Sequence, residues 1–323
     1  MRLVPPAGGS GPPGRPTDRG TEAESGTGVG AESGTADGET VRWRLRIAYN
    51  GSGFHGFAAQ NGQATVAGAL SAALGRVTRS AVTLTCAGRT DTGVHAQDQV
   101  VHVDLPAPLA TGLDPEVLLR SCNRQLGPAI VVREAGPAPA GFDARRSATG
   151  RRYRYLVVNA PVADPLLAGL AWHVSDELDL RAMAAASDAL VGEHDFRAFC
   201  RRVPGASPDD PITRRVVDAR WSVVDGDGAR GGSGGRGARS SPTGADGHAA
   251  LLPAEGALVA FEIEANAFCH QMVRSLVGTL VDVGRGRKRA SDMLWILRSA
   301  DRQQASQPAP PHGLCLVAVR YGS

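Results

Sequence analysis

This chain has almost no lysine, no Cys-x-x-Cys pair and no long apolar run. Lys288 is the only lysine among 323 residues, so arginine carries nearly all of the positive charge. The five cysteines are scattered and never spaced Cys-x-x-Cys, which argues against a disulfide framework and a thiolate zinc site and fits a reducing cytoplasm. No apolar stretch could span a membrane and no apolar signal core follows Arg2, so we expect neither membrane insertion nor secretion.

Two segments have the composition of disordered chain. Residues 1–40 are rich in Gly, Pro, Ser, Thr and Glu and cannot bury enough apolar surface to offset chain entropy. Residues 225–256 are similarly rich in Gly and Ser, and we interpret them as a disordered insertion at the tip of a hairpin. Residues 1–40 carry three Arg against six Asp and Glu, a net charge of −3. Because the whole chain has a net charge of +3, residues 41–323 have a net charge of +6. A basic folded part is typical of proteins that bind phosphate backbones.

Hydrophobic periodicity divides the first half of the chain into strands and helices. The predicted elements, in order, are a strand at 41–49, a helix capped by Thr65, strands at 82–86 and 99–105, a helix from Asp114 to about Leu126, and a strand at 130–134. This order of strand, helix, strand, strand, helix and strand is that of a ferredoxin-like unit.

The second half repeats a mixture of strands and helices. The predicted elements are a strand through Tyr153, a helix capped by Asp179 and ended by Gly192, strands at 216–224 and 258–265, a helix that contains Arg274, a helix capped by Ser291, and a closing strand to Tyr321. The chain is therefore predicted to have α+β structure.

The stretch 86–96, CAGRTDTGVHA, places a carboxylate on a tight loop between two predicted strands. Gly88 and Gly93 let the backbone turn sharply and let a substrate come close to Asp91. Arg89, two residues upstream, can keep the carboxylate ionised by charge pairing. Asp91 is therefore the candidate nucleophile or base.

Other interpretations of this loop remain open from the residues alone. Asp-x-Gly between strands is often a plain turn. Asp91-Thr92-Gly93 also spells the aspartic-protease triplet, but that chemistry needs two carboxylates sharing a proton, and the chain has no second such triplet. A non-catalytic RNA-binding module would keep the arginines and Tyr153 described next but would not need Asp91.

Arginines and tyrosines alternate in the segment 142–156, which contains five of the former and two of the latter. In a strand, Tyr153 shares one face with Tyr155, and the neighbouring arginines share the other. Such a surface can stack a base and hold phosphates, although an edge strand with core tyrosines is the alternative. A second basic cluster follows the helix of Arg274. The candidate RNA contacts are Arg151, Arg152, Arg154, Arg285, Arg287 and Lys288.

A third segment of interest, 265–280, leads from a strand into a helix with one apolar face. Arg274 lies beside that face, and an ordinary boundary arginine is the alternative to a functional one. Cys269 and His270 have no companion ligands at metal spacing, so we predict no metal site.

Residues 88–96, GRTDTGVHA, closely resemble the active-site signature of the tRNA pseudouridine synthase A family. The resemblance runs from about Trp43 to Tyr321 and is interrupted by the insertion at 225–256. It implies that Asp91 is the catalytic residue and that Tyr153 lies against the target uracil. It also implies that Arg274 reaches the aspartate, and Arg89 is the second supporting residue on the ground of its charge, given above.

The resemblance further implies two ferredoxin-like halves, 41–146 and 147–323, whose antiparallel sheets join into one extended sheet with helices on one face and a basic cleft on the other. The implied protein is a cytoplasmic homodimer that binds the tRNA anticodon stem-loop. It would isomerise the uridines at tRNA positions 38, 39 and 40 to pseudouridine without a cofactor or metal. Which uridine is preferred, and whether Asp91 attacks the uracil, attacks the ribose or removes a ribose proton, stays open.

The sequence departs from the family pattern at three positions. Phe57 stands where the family usually has Trp, Ala59 lacks the usual polar or basic side chain, and Ser275 replaces a common Asn. These departures concern loop contacts to RNA and leave the residues of the chemistry in place.

Overall fold

A computed structural model describes residues 39–202, 205, 207, 209–224 and 256–322. The two segments expected to be disordered, 1–40 and 225–256, lie almost entirely outside these residues. The described part has mixed α+β structure, as predicted, with ten β-strands and six α-helices. Within it, no helix is both long and apolar enough to cross a membrane.

The strands form one large sheet that is mostly antiparallel. They are β1 (Thr40–Tyr49), β2 (Leu84–Cys86), β3 (His95–Pro106), β4 (Ile130–Pro137), β5 (Ala148–Asn159), β6 (Trp172–Val174), β7 (Gly192–Asp195), β8 (Thr213–Val223), β9 (Ala257–Ala265) and β10 (Leu314–Tyr321). The order across the sheet is β4-β1-β3-β10-β5-β9-β8-β7, with β2 paired to β3 and β6 to β5.

The last strand, β10, joins the two halves of the sheet. It pairs in parallel with the start of β3, where Cys315 and Leu316 lie opposite His95 and Ala96, and it pairs antiparallel with β5 along its other edge. The start of β3 directly follows the loop that carries Asp91. The pairing of β10 therefore holds this loop close to β5.

Six α-helices connect the strands. They are α1 (Val66–Thr78), α2 (Ala107–Gly112), α3 (Pro115–Leu126), α4 (Leu180–Asp188), α5 (Met272–Gly284) and α6 (Asp292–Ser299). Three of the predicted caps are present: Thr65 accepts from the Gly68 N–H, Asp114 from that of Glu116, and Asp179 from those of Arg181 and Ala182.

One predicted helix end is wrong, and one predicted cap lacks its hydrogen bond. The helix capped by Asp179 ends at Asp188 and does not run on to Gly192, which instead opens β7 with a φ of 117°. Ser291 lies at the start of α6, but its own backbone is already helical and its side chain accepts no hydrogen bond from the first turn.

The hydrophobic core lies between one face of the sheet and the helices. On β1 the alternating residues Trp43, Leu45, Ile47 and Tyr49 are buried, as the period-two pattern predicted. They belong to the same packed cluster as apolar residues from every long helix, for example Leu70 of α1, Leu118 of α3, Met183 of α4 and Leu276 of α5. One continuous core therefore runs under strands from both halves of the chain.

The other face of the sheet carries ordered rows of ion pairs, which we call the charged sheet face. Its main pairs, with N–O distances of 2.6–2.8 Å, are Arg42–Asp104, Arg46–Asp98, Arg152–Glu264 and Arg154–Glu262. Arg320 also binds Glu264, and Arg220 also binds Glu262.

Candidate active site

The loop that carries Asp91 is held by backbone and side-chain bonds from three directions. The Phe57 N–H donates to the Thr90 carbonyl at 3.0 Å. The Tyr49 hydroxyl lies 2.8 Å from Thr90 Oγ1, and Gln99 Nε2 donates to the Gly88 carbonyl at 2.6 Å. The loop conformation is therefore stabilised by contacts with the buried residues around it.

Two glycines are needed for this arrangement. Gly56 has a φ of 88°, and a Cβ atom built on it would lie 2.9 Å from the Thr90 carbonyl oxygen, closer than packing allows. Gly93 has a φ of 78°, which turns the chain just after Asp91. A side chain at either position would displace the loop backbone on one side of Asp91.

The Asp91 carboxylate is partly exposed and receives one basic group on each oxygen. Its side chain is 26% exposed. Arg274 Nη1 lies 3.4 Å from Oδ2, and His270 Nε2 lies 3.2 Å from Oδ1. Arg274 is itself anchored, because its Nε donates to the Ala309 carbonyl at 2.7 Å. The start of α5 and the chain just before it thus supply both partners of Asp91.

Arg89, the expected partner of Asp91, does not contact it. Arg89 is exposed and forms no hydrogen bond or ion pair with any residue that the structure describes. Its guanidinium is therefore available to a ligand that approaches the loop.

Tyr153 lies beside the same loop with its ring buried and 7% of the residue exposed. Its ring meets that of Phe268 edge to face, with centroids 5.0 Å apart. A Cβ atom on Gly88 would lie 3.7 Å from the Tyr153 hydroxyl, so this hydroxyl points at the Asp91 loop. Burial, reinforced by the negative charge of Asp91, raises the pKa of Tyr153, which keeps the phenol neutral.

His95 ties the end of the loop to two other segments. Its Nδ1 accepts the Gly51 N–H at 3.0 Å, so Nε2 carries the proton and donates to the His312 carbonyl at 3.0 Å. Burial lowers the pKa of His95, which favours this neutral form. The histidine of the signature therefore supports the loop and does not face the open side of the site.

The arginines of β5 fall on two different faces. Arg152 and Arg154 alternate with the buried Tyr153 and lie on the charged sheet face, paired with Glu264 and Glu262. Arg151 lies on the Tyr153 side, is 8% exposed, and donates to the carbonyl oxygens of Ala87, Arg145, Ala148 and Asn266 at 2.8–3.0 Å. Both terminal nitrogens of its guanidinium are occupied, which argues against an RNA contact for Arg151. The bonds indicate instead that Arg151 joins the start of the Asp91 loop to the end of β9.

The basic cluster after α5 is also partly committed to protein contacts. Arg285 is 17% exposed, lies 2.7 Å from Asp176 and sits over the Trp172 ring. Lys288 Nζ donates to the Gln304 carbonyl at 3.1 Å. Arg287 is 61% exposed and has only a 3.5 Å contact with Asp282, so it is the most available cation of the three.

The three departures from the family pattern have separate structural settings. Phe57 is buried against Tyr49, with ring centroids 6.3 Å apart, and supports the loop through its backbone. Ser275 is buried and accepts a hydrogen bond from Arg302 at 3.0 Å. Ala59 is exposed.

Two features near Asp91 escaped the sequence analysis. The structure joins Cys200 to Cys269 in a disulfide, so the expectation of unpaired cysteines is wrong for these two, while Cys86, Cys122 and Cys315 are free. The partners are 69 residues apart, and no local spacing signals such a pair. His270 was considered only as a metal ligand. His270 precedes α5 and is separated from it by the left-handed Gln271, so helical spacing does not place it beside Arg274 and no local pattern identifies it.

Across the described ranges, no three or more His, Cys, Asp and Glu side chains cluster closely enough to hold a metal ion. The site is instead a carboxylate with two cationic or donor partners beside a buried phenol. Such a set can orient an anionic nucleophile or base against a planar ring.

Several known proteins similar to this chain are named tRNA pseudouridine synthase A. It is 45% identical to the tRNA pseudouridine synthase A of Frankia casuarinae over 285 residues, which are 87% of this chain and 89% of that relative. It is 41% identical to that of Streptomyces griseus over 87% of this chain and 88% of the relative, and 40% identical to that of Mycobacterium leprae over 88% and 90%. A family model described as tRNA pseudouridine synthase matches residues 186–322.

The chain belongs to the tRNA pseudouridine synthase A family. The site geometry argues against an aspartic protease, because the partners of Asp91 are Arg274 and His270 and not a second carboxylate.

Proposed function

We propose that this protein isomerises uridine to pseudouridine in the anticodon stem-loop of tRNA, at positions 38, 39 and 40. The observation that carries this proposal is the meeting of Asp91, Arg274 and Tyr153 in one partly open site, in a chain whose close relatives are named tRNA pseudouridine synthase A. The reaction is an isomerisation, and the proposal includes no cofactor or metal.

The reaction breaks the bond between uracil N1 and ribose C1′ and forms one between uracil C5 and the same carbon. A proton leaves C5 and N1 ends protonated, so atoms and electrons balance within the substrate and solvent. Asp91 drives the cleavage as nucleophile or base, Arg274 supports it, and Tyr153 holds the uracil while it rotates. The target base must first leave its stack, which costs a few kcal/mol and less in a loop.

RNA phosphates are proposed to contact cations that the protein leaves exposed. Arg89 and Arg287 are the most available, and Lys288 lies next to Arg287. Arg152 and Arg154 would have to exchange a glutamate for a phosphate, so we expect a smaller contribution from them. Arg285 is largely committed to Asp176 and Trp172.

The proposal extends to the architecture. Strand orders β4-β1-β3-β2 and β10-β5-β9-β8 support two ferredoxin-like halves, 41–146 and 147–323, joined at β3 and β10 with a basic cleft near Asp91.

The protein is proposed to work as a homodimer in the cytoplasm, where it would meet its tRNA substrate. Val162 and Leu166 are 74% and 72% exposed and are candidate dimer contacts. Light scattering on Leu166→Asp tests that assignment.

The function is tested with tRNA transcripts that carry a uridine at position 38, 39 or 40 only. Pseudouridine is mapped in each transcript by chemical derivatisation and primer extension after incubation with the purified full-length chain. We expect conversion at each of these uridines and none in a transcript that has cytidine at all three. Conversion elsewhere in the tRNA alone would refute the assigned positions, and no conversion in any transcript would refute the proposed activity.

A further inference from the structure

His270 binds the Asp91 oxygen that Arg274 leaves free. Its Nε2 lies 3.2 Å from Oδ1, whereas Arg274 Nη1 lies 3.4 Å from Oδ2. The His270 side chain is 43% exposed, so it borders the open side of the site. We propose that His270 is a second positioning residue, which together with Arg274 fixes the plane of the Asp91 carboxylate. This inference rests on the proposed function.

One donor is insufficient to orient this carboxylate. Arg274 approaches a single oxygen with a single nitrogen, and its Nε is directed to the Ala309 carbonyl, so it does not bind Asp91 in the bidentate manner that would define a plane. A carboxylate held at one oxygen can still rotate about its Cβ–Cγ bond. A second donor on the other oxygen removes that rotation, and His270 can donate from Nε2 whether its ring is neutral or protonated.

The chain around His270 is fixed on both sides. The Arg201 N–H donates to the His270 carbonyl at 2.9 Å, which ties this segment to the end of the chain section before β8. The following residue, Gln271, has a φ of 63°, a left-handed conformation that is costly for a residue with a side chain. Strained backbone that is maintained next to a reactive group is a common feature of functional sites. These constraints fix the position of the His270 backbone beside Asp91.

The alternative is an exposed ion pair without consequence, since many such pairs contribute nothing measurable. Turnover kinetics distinguish a positioning role of His270 from an ion pair without consequence. The full-length variants His270→Ala and His270→Gln are measured on a tRNA that the wild type converts, and His194→Ala is the matched control. His194 lies on β7, where its Nε2 bonds to the Val191 carbonyl. Circular dichroism verifies that each variant is folded.

We expect His270→Ala to lower kcat by about 10- to 100-fold, because small misplacements of a reacting group cost this much, with little change in KM. His270→Gln should recover part of kcat, since its amide can still donate to Asp91. Combining His270→Ala with Arg274→Ala should cost less than the product of the two single effects, because both act on one carboxylate. A kcat for His270→Ala equal to that of His194→Ala, or an equal loss in the Ala and Gln variants, would overturn the proposal.

A second readout is independent of turnover. The side-chain ¹⁵N signals of His270 at one fixed pH should change on Asp91→Asn, while those of His194 should not. Unchanged His270 signals would mean that the contact does not exist in solution. If the wild type forms no pseudouridine but these signals change, the proposed function fails and the positioning contact stands.

Discussion

The charged sheet face and the Asp91 site are built from the same kinds of residue but satisfy them differently. Asp104, Glu262 and Glu264 bind arginine at distances of 2.6–2.8 Å. The partners of Asp91 lie at 3.2 and 3.4 Å, and its neighbour Arg89 is unbound within the described residues. The carboxylates of the charged sheet face are held closely by arginines of the protein, whereas the more loosely held Asp91 can still interact with a substrate.

The pKa values of two sheet-face carboxylates reflect their pairing with arginine. Hydrogen bonds from Arg320 and Arg152 hold the pKa of Glu264 below its usual range, and a hydrogen bond from Arg42 does the same for Asp104. These paired charges stabilise the folded sheet. The sheet-face carboxylates should therefore matter for folding and Asp91 for turnover, and each of the following experiments tests one side of that division.

The largest expected effect is on turnover in Asp91→Asn. The amide keeps the size of the side chain but removes the charge that can attack or accept a proton, so kcat should fall at least about 1000-fold, with tRNA binding retained. The measurement is single-turnover pseudouridine formation together with a tRNA binding isotherm. Turnover near that of the wild type would show that this loop is not the active site, and lost binding would show that it is structural.

The next effect concerns the Cys200–Cys269 disulfide beside His270. A crosslink over 69 residues restricts the unfolded chain, so Cys200→Ser with Cys269→Ser should lower the free energy of unfolding by about 2 to 4 kcal/mol under oxidising conditions. Denaturant titration measures the loss. The same comparison in excess dithiothreitol is the control, and there the difference should nearly vanish. Five titratable thiols in the unreduced, denatured wild type would contradict the crosslink.

Tyr153 tests the contribution of the buried ring. Tyr153→Phe keeps the ring and should retain most activity, whereas Tyr153→Ala should lower kcat/KM by about 5- to 150-fold, the equivalent of roughly 1 to 3 kcal/mol of stacking. Steady-state kinetics on folded variants measures this. Equal activity in Tyr153→Ala and the wild type would place Tyr153 outside the uracil pocket.

Glu264→Gln should affect stability and not turnover. Because the folded-state pKa of Glu264 is depressed, its stabilising contribution is present above its ordinary pKa of 4.5 and is lost as the pH falls through the lower folded value. The variant should be less stable by about 1 to 3 kcal/mol at pH 7, with a smaller difference near pH 3. Urea unfolding across this range measures it. A deficit that does not shrink at low pH would contradict the ion-pair explanation.

The smallest effect is on the salt dependence of tRNA binding. Removing one phosphate contact should reduce the log–log salt slope by about 0.7 to 0.9. We expect this in Arg287→Ala, whose side chain is 61% exposed, and a smaller change in Arg152→Ala, whose guanidinium is held by Glu264. Binding isotherms at several salt concentrations give the slopes. An equal reduction in both would show that the sheet-face pairs open to bind RNA.

Several features followed from the sequence because they depend on local physics. The period-two pattern of 41–49 fixes which side chains of β1 enter the core, and Thr65, Asp114 and Asp179 mark helix starts because each has an acceptor next to unpaired N–H groups. The family followed from the nine residues at 88–96. In each case the information lies within a few neighbouring residues.

Only the tertiary structure decided which charges are free and which are used. The sequence placed Arg151, Arg152 and Arg154 together as RNA contacts, but strand alternation sends Arg151 into the carbonyl oxygens around Ala87 and sends its neighbours toward the glutamates of β9. Likewise, Asp91 is partnered by Arg274 and His270, which lie about 180 residues away in sequence, and not by nearby Arg89. Pairing across a sheet and between chain segments depends on register and packing over the whole fold, which no local pattern encodes.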